Sequence, residues 1–353
     1  MSEKLRVGIT QGDSNGVGYE VIIKTLADVR LLDFCIPVVY GATKVLSYYR
    51  KLLNADPINY NSISIAGEFN PKQVNVVNCI SDDLRVEPGK STLEAAQEAL
   101  RALQTAVGDL KRGKIDVLVT APFNKQTIHG TGFSFPGHTE YLAQTFNGKD
   151  CIMLFISDVL RVGVITGHIP LADVSKNLSK ECIIRKLEIL NASLQRDFGV
   201  HKPRIAVLGL NPHASDGGLL GKEEDDIIIP AIMEAEKQGI LAFGPYASDG
   251  FFGAAAFKRF DAVMAMYHDQ GLVPFKAISF NTGVNYTAGL PIVRTSPAHG
   301  VGYDIVKDCT ASPDSLRAAI YAACDIWRHR KEYDRTTANP LPPVDFDALP
   351  SID

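Results

Sequence analysis

The sequence predicts an α/β protein of two domains, with largely parallel sheets and flanking helices. Three observations predict it. Short β-branched runs alternate with helical patterns along the chain. Several of those runs are apolar almost without a break, the pattern of strands covered on both faces. The chain has 353 residues, more than one small core organises.

Taken in order, the runs at 5–10, 36–40, 74–80, 115–120, 151–157, 161–166, 204–210 and 261–266 read as strands. A helix is expected from Ser91, because Ser91 and Glu94 have the spacing of a capping box. Leu93, Ala96, Leu100, Leu103, Val107 and Leu110 then form one apolar stripe, and Gly113 follows Lys111 and Arg112 as a stop. A second helix spans 179–198, with Gly199 after it. A third follows Glu223 and ends near Gly239. The last begins at Ser312–Pro313 and turns Leu316, Ile320, Ala323 and Trp327 inward. The tail after Arg335, with Pro340, Pro342 and Pro343, is expected to be extended or loose. No linker separates two halves, so the domains are expected to share a sheet or cross over.

The net charge of −4 gives no electrostatic reason for nucleic acid or an anionic membrane as partner. No apolar stretch is long enough to span a bilayer, and the first residues lack the pattern of a secretory leader. The six cysteines form no C-x-x-C pair and read as reduced, mostly buried thiols. The expected location is the cytoplasm.

Three histidines carry the chemistry. His168, His213 and His268 each follow the carboxyl end of an expected strand, where ligands sit in parallel α/β sheets. Three neutral imidazoles can hold a divalent ion and leave positions open for substrate. Any one of them is as readily a loop or core residue, and that alternative stays open. The first strand runs into Gly12, Asp13, Gly16 and Gly18, a turn that can bring backbone N–H groups against a ligand. It does not match G-x-G-x-x-G, and a glycine-rich turn without a ligand accounts for it equally well. His138 and Thr139 stand side by side as phosphate or carboxylate ligands, unless Thr139 only caps a helix. Lys276, Asn285 and Arg294 recur at intervals of nine and could clamp a phosphate; solvated surface charge is the plainer account of Lys276. Gly217, Gly218 and Gly221 before the acidic run 223–226 read as a mobile loop opening a helix.

Eight stretches are recognisable together. They are G-D-S-N-G-V-G-Y-E at 12–20, V-T-A-P-F-N-K at 119–125, G-H-T-E-Y-L-A at 137–143, G-L-N-P-H-A at 209–214, D-G-G at 216–218, G-K-E-E at 221–224, Y-H-D-Q-G-L-V-P-F-K at 267–276 and N-Y-T-A-G-L-P-I-V-R-T-S at 285–296. In these the chain resembles the 4-hydroxythreonine-4-phosphate dehydrogenase family over nearly its whole length. The resemblance implies a fold like that of isocitrate and isopropylmalate dehydrogenases. One discontinuous domain would hold 1–136 and 297–353, and a central dimerising domain 137–296. It implies one divalent ion (zinc, magnesium or cobalt) on His168, His213 and His268, with ligands drawn from both subunits of a homodimer. It places His138, Thr139, Asp249, Lys276, Asn285 and Arg294 around the substrate. It places NAD, or NADP, near the glycine turn and a loop carrying His299 and Asp304.

The implied reaction is oxidation of 4-phosphooxy-L-threonine to 2-amino-3-oxo-4-phosphooxybutanoate. That product would decarboxylate to 3-amino-2-oxopropyl phosphate, in vitamin B6 biosynthesis. Sister enzymes acting on 4-phospho-D-threonate or 4-phospho-D-erythronate would share these motifs. From other classes, a non-redox phosphate acyltransferase, a scaffold-keeping binding protein and a metal hydrolase remain alternatives. Two departures fall on the cofactor side: Ser14–Asn15 with Tyr19 where the family often has prolines and alanine, and Ile305–Lys307 after the second loop.

Overall fold

The computed structural model describes residues 4–81, 83–148 and 150–340. The alternation of elements in the sequence is realised as follows. The first half contains β1 (Leu5–Thr10), α1 (Gly18–Leu26), α2 (Leu31–Phe34), β2 (Cys35–Gly41), α3 (Thr43–Leu52), β3 (Tyr60–Ile63), β4 (Val74–Asn78), α4 (Leu93–Lys111), β5 (Val117–Thr120), α5 (Lys125–His129) and α6 (His138–Thr145). It continues with β6 (Ile152–Ile156), β7 (Arg161–Thr166), α7 (Lys180–Phe198), β8 (Arg204–Leu208), α8 (Ile229–Lys237), β9 (Leu241–Tyr246) and α9 (Ser248–Gly253). The last elements are β10 (Ala262–Tyr267), α10 (His268–Ser279), β11 (Val284–Ala288), β12 (Arg294–Pro297) and α11 (Asp314–Thr337).

All the strands join one 12-stranded sheet, in the order β3-β4-β2-β1-β5-β12-β11-β6-β7-β10-β8-β9. From β3 to β12 every pairing is parallel. From β7 to β9 every pairing is parallel again. Between the two blocks lie three antiparallel pairings, β12 with β11, β11 with β6 and β6 with β7. An odd number of reversals makes the two parallel blocks run in opposite senses. The architecture is thus α/β and largely parallel, with an antiparallel seam at mid-sheet.

Helices cover the sheet. The stripe read for α4 is shifted in the structure: Leu93 is exposed, and the buried face is Ala95, Ala96, Ala99, Ala102, Leu103, Ala106 and Val107. Alanines let the helix lie close on β1, β2 and β5. Its cap is Thr92, whose side chain accepts from the Ala95 N–H at 3.3 Å, one residue later than Ser91. The caps of α7 agree with the sequence, with Ser179 accepting from Cys182 and left-handed Gly199 at the end. Helix α11 continues to Thr337, past Arg335; Pro342 and Pro343 lie outside the described residues.

Helix α11 lies across the seam, against β5, β12, β11 and α7. A buried charge network fixes it there. The Arg330 Nε donates to Asp197 Oδ1 at 2.6 Å, while Tyr286 and Ser193 hydroxyls donate to Asp197 Oδ2, each at 2.6 Å. The Arg330 Nη2 also donates to the Tyr286 hydroxyl at 2.8 Å. Burial alone would lower the Arg330 pKa, but Tyr286 and Asp197 raise it. All six cysteines are free; Cys35 and Cys324 are buried and the other four are half-buried, fewer than expected. No helix among the described residues is long and apolar enough to cross a membrane.

Candidate functional site

Side chains in a strand alternate between the two faces of a sheet. At the seam this alternation gathers polar groups. Asn285 pairs with Ser296 and with Phe155, and Arg294 pairs with Leu118, so Asn285, Thr287, Met153, Arg294, Ser296 and Thr120 project from one face. All of these but Thr287 floor a cavity of about 190 Å³, walled by Phe123, Lys125, Gly137, His138, Thr139, Glu140, His168 and His299.

Arg294 is buried, at 4% exposure. Its Nε and Nη2 donate to the Thr120 hydroxyl at 3.0 and 2.6 Å, and its Nη1 donates to the Thr287 hydroxyl at 3.3 Å. Among the described residues no carboxylate pairs with it within 4.0 Å. Burial pulls its pKa down to about 10, against the pull of Glu140. A buried cation served only by hydroxyls is a place for an anion. Two more groups are left over at the same cavity. The Asn285 Oδ1 and the His299 Nε2 are buried with no hydrogen-bond partner, although the other ring nitrogen of His299 lies 2.9 Å from the Gly300 carbonyl.

His138 opens α6 and stacks on Phe123, with centroids 3.9 Å apart. Burial first, then Arg294 and Lys125, push its pKa well below the histidine range, so the ring is neutral. Thr139 does not cap α6, which Gly137 does; its hydroxyl lies 3.5 Å from that of Thr287.

His168 lines this cavity, and His268 stands beside it in an adjoining hollow that His168 also lines. The His168 and His268 ring centroids are 5.6 Å apart. The Lys125 Nζ lies 3.4 Å from His168 Nε2. Lysine can only donate, so that nitrogen accepts from it and carries no proton, which is the form of the ring that binds a metal. Burial, Lys125 and His268 all keep His168 neutral. The His268 Nδ1 lies 2.6 Å from Asp269 Oδ1, which frees Nε2 as a ligand. The donor set therefore suits a divalent ion. His213 is not with them. It lies with Asp249 in a separate hollow of about 610 Å³, also lined by Asn211, Tyr267 and Asp269. Within one chain, the described residues bring no three His, Cys, Asp or Glu side chains together as a metal site.

His213 begins a run of left-handed backbone, with φ of 55° at His213, 50° at Ala214, 70° at Ser215, 47° at Asp216 and 65° at Gly217. Each non-glycine residue there costs about 1–2 kcal/mol. The expected mobile loop is thus a shaped turn, and it is anchored. The buried Glu224, in a π-helical turn Glu224–Ile228, accepts from the Leu210 and Asn211 N–H groups at 2.8 and 2.7 Å and from the Asn211 amide at 2.8 Å. Gln270 ties this region together: it donates to the Gly209 carbonyl at 2.5 Å and to Ser248 at 2.7 Å, and accepts from the Met266 N–H at 2.7 Å. Lys276 is exposed on α10 and lines neither hollow.

Comparison with known proteins decides the family. Residues 33–323 match the model of the pyridoxal phosphate biosynthetic protein PdxA family. The chain belongs to the PdxA family. It is 51% identical, over 96% of its own length and 93% of the relative's, to the 4-hydroxythreonine-4-phosphate dehydrogenase of Bacteroides thetaiotaomicron. A relative from Oceanobacillus iheyensis, 36% identical over 92% of this chain and 99% of its own, is provisionally named a D-threonate 4-phosphate dehydrogenase. The structure of 4-hydroxythreonine-4-phosphate dehydrogenase from Klebsiella pneumoniae superposes with a TM-score of 0.79 at 35% identity, covering 92% of this chain and all of that one. PdxA relatives are dehydrogenases, and this chain is an oxidoreductase of that family. A nicotinamide cofactor and a small phosphorylated substrate fit a PdxA dehydrogenase.

The departures from the PdxA pattern have a local account. Asn15 donates to the Lys90 carbonyl and to Thr92, each at 3.0 Å, and accepts from the Glu87 N–H at 2.7 Å, so it fastens 87–92 to the glycine turn. Tyr19 is buried, donating to Gln11 and accepting from the Ala42 N–H at 3.0 Å. The turn itself is wholly buried, from Gln11 to Glu20. Gly12, at φ +68°, has no room for a Cβ beside the Pro122 carbonyl, and Gly16 has none beside Val301. Asp13 is held by Tyr303 at 2.6 Å. Gly12, Asp13, Gly16 and Gly18 therefore pack the protein against itself and do not line the cavity. Of the expected cofactor residues, His299 does line it, and Asp304 is exposed on the same loop. The sequence gives no role to Lys125, Phe123 or Gln270, although they stand inside the recognised stretches, and it marks Glu224 only as part of the acidic run at 223–226.

Proposed function

We propose that this chain is a 4-hydroxythreonine-4-phosphate dehydrogenase. It oxidises 4-phosphooxy-L-threonine with NAD to 2-amino-3-oxo-4-phosphooxybutanoate, which loses carbon dioxide to give 3-amino-2-oxopropyl phosphate. The observation that carries the reading is Arg294, a buried cation without a carboxylate at the floor of a cavity that matches a phosphate.

In this reading Arg294, Asn285, Thr139 and neutral His138 hold the phosphate and fix the substrate's reach across the seam. The reacting hydroxyl then lies at the rim beside His168 and His268. His168 and His268 would hold a divalent ion (zinc, magnesium or cobalt), which would supply Lewis-acid chemistry at that hydroxyl, and a bound nicotinamide would supply the hydride-accepting chemistry. His299 flanks the cofactor side, with Asp304 farther out on its loop. The third ligand, His213, and Asp249 come from a second copy in a homodimer, so the partner's His213 completes the site. What supports this is the separate hollow that His213 shares with Asp249, and the exposed apolar side chains Leu219, Phe243 and Met233 around that half of the molecule. We also propose that 1–136 with 297–353 and 137–296 are the two domains, meeting near the seam, and that the enzyme is cytoplasmic.

The test is reduction of NAD, followed by absorbance, with 4-phosphooxy-L-threonine, a divalent cation and a chelator control. Chelator-sensitive turnover preferring the threonine compound is expected. Preference for 4-phospho-D-threonate or 4-phospho-D-erythronate moves the substrate and keeps the chemistry. No reduction with any of the three sinks the proposal.

A further inference from the structure

We propose that Lys125 binds the substrate's carboxylate. This rests on the preceding reading, in which a phosphorylated β-hydroxy acid enters the cavity.

Lys125 is the first residue of α5, just beyond the carboxyl end of β5. Its backbone is fixed, because the Asn124 side chain caps this short helix by accepting from the Thr127 N–H at 3.1 Å. Its ammonium lies 3.4 Å from His168 Nε2 at the rim. It acts electrostatically on His138 as well, so it stands between the deep anion site and the histidine pair. Among the described residues no carboxylate pairs with it within 4.0 Å. The Lys125 side chain lies beside Gly137, where a Cβ would be in ordinary contact with Lys125 Cε at 3.6 Å and with Glu140 Oε2 at 3.4 Å.

The substrate's charges decide what this cation meets. The phosphate is at one end of a four-carbon chain and the carboxylate at the other, with the reacting hydroxyl between them. If Arg294 takes the phosphate and the hydroxyl lies by His168 and His268, the carboxylate falls past them at the rim. There the side chains offer charges of both signs. Asp269, beside His268, and Glu140, in the cavity wall, repel an anion, and Lys125, beside His168, attracts one. Lys276 is the other lysine considered for this substrate, and it lines no part of the cavity. The phospho-aldonates carry the same carboxylate, so Lys125 selects hydroxy acids as a class without choosing among them.

The experiment is calorimetric binding to the metal-loaded protein of two ligands: 4-phosphooxy-L-threonine, and the analogue with a hydroxymethyl group in place of its carboxylate. Wild type, Lys125→Met and Lys125→Arg are compared, with melting temperatures checking the fold. Lys125→Met should weaken the acid about 10- to 100-fold, the range of one charged hydrogen bond, and leave the analogue unchanged. Lys125→Arg should restore most of the loss. In turnover the same variant should raise KM more than it lowers kcat. Equal weakening of both ligands, or of neither, overturns the assignment alone. A wild type that binds neither ligand sinks the reading beneath it and this assignment with it.

Discussion

Two arginines lie buried on either side of β11, and they are treated in opposite ways. Arg330 and Arg294 are 7% and 4% exposed. Arg330 has Asp197 and the Tyr286 hydroxyl, and its pKa is raised. Arg294 has only two threonine hydroxyls, and its pKa falls to about 10. A fold that needs a buried cation for its own integrity supplies the counter-charge. Where it withholds one, the cation is kept for something that arrives from outside.

The comparison can be broken most severely at the structural arginine. Asp197→Ala strands Arg330 in the core and should destabilise the protein by about 3–5 kcal/mol, read by denaturant unfolding. A loss below about 1 kcal/mol would remove the distinction between the two sites. The next effect has the opposite character. Arg294→Met removes an uncompensated charge, so stability should hold or rise while KM for the phosphorylated substrate climbs about 10- to 100-fold. Inorganic phosphate at about ten times its Kd should stabilise wild type by about 1.4 kcal/mol and leave this variant unmoved.

The smallest effect is a pH slope. His138, His168 and His299 all have lowered pKa values, with burial the first cause in each and Arg294, Lys125 and Lys276 the respective neighbouring charges. Below an unfolded histidine pKa of about 6.5 the unfolded chain binds protons that the folded one refuses. Stability is therefore full above that pH and declines as pH falls, by at most about 1.4 kcal/mol per unit for each group. Unfolding at about pH 5 and about pH 7.5 measures it; equal stabilities would contradict the burial of these rings.

Much of the fold was legible because its signals are local. The run at 5–10 is β1 and that at 161–166 is β7, residue for residue. The ends of α7 follow from Ser179 and Gly199. Strands β11 and β12 escaped for a physical reason. One face of the pair carries Asn285, Thr287, Arg294 and Ser296, so the apolar side of the alternation is missing there and the strand pattern is masked. Edge strands β3 and β9 escaped because polar or exposed positions interrupt them. Of the site, His138, Thr139, His168, Asn285, Arg294 and His299 meet at one cavity as the motifs implied. His213 follows β8, which runs parallel to β10 and lies beyond it from β7, so it emerges on the same edge as His168 and His268 but farther along the sheet, and strand order is something no local pattern encodes. The glycine turn is ambiguous in principle, because close packing against a ligand and against Val301 ask for the same residue.

The position of β12 has a consequence for how the chain is made. β12 lies between β5 and β11, yet it is synthesised after both. While the ribosome is still producing the middle of the protein, the first parallel block already exists with the edge of β5 bare. An edge left open so long is a template for the wrong partner, in another nascent chain or in a chaperone's cleft. The residues that close it include Arg294, so the last strand to be made also brings the buried cation of the cavity.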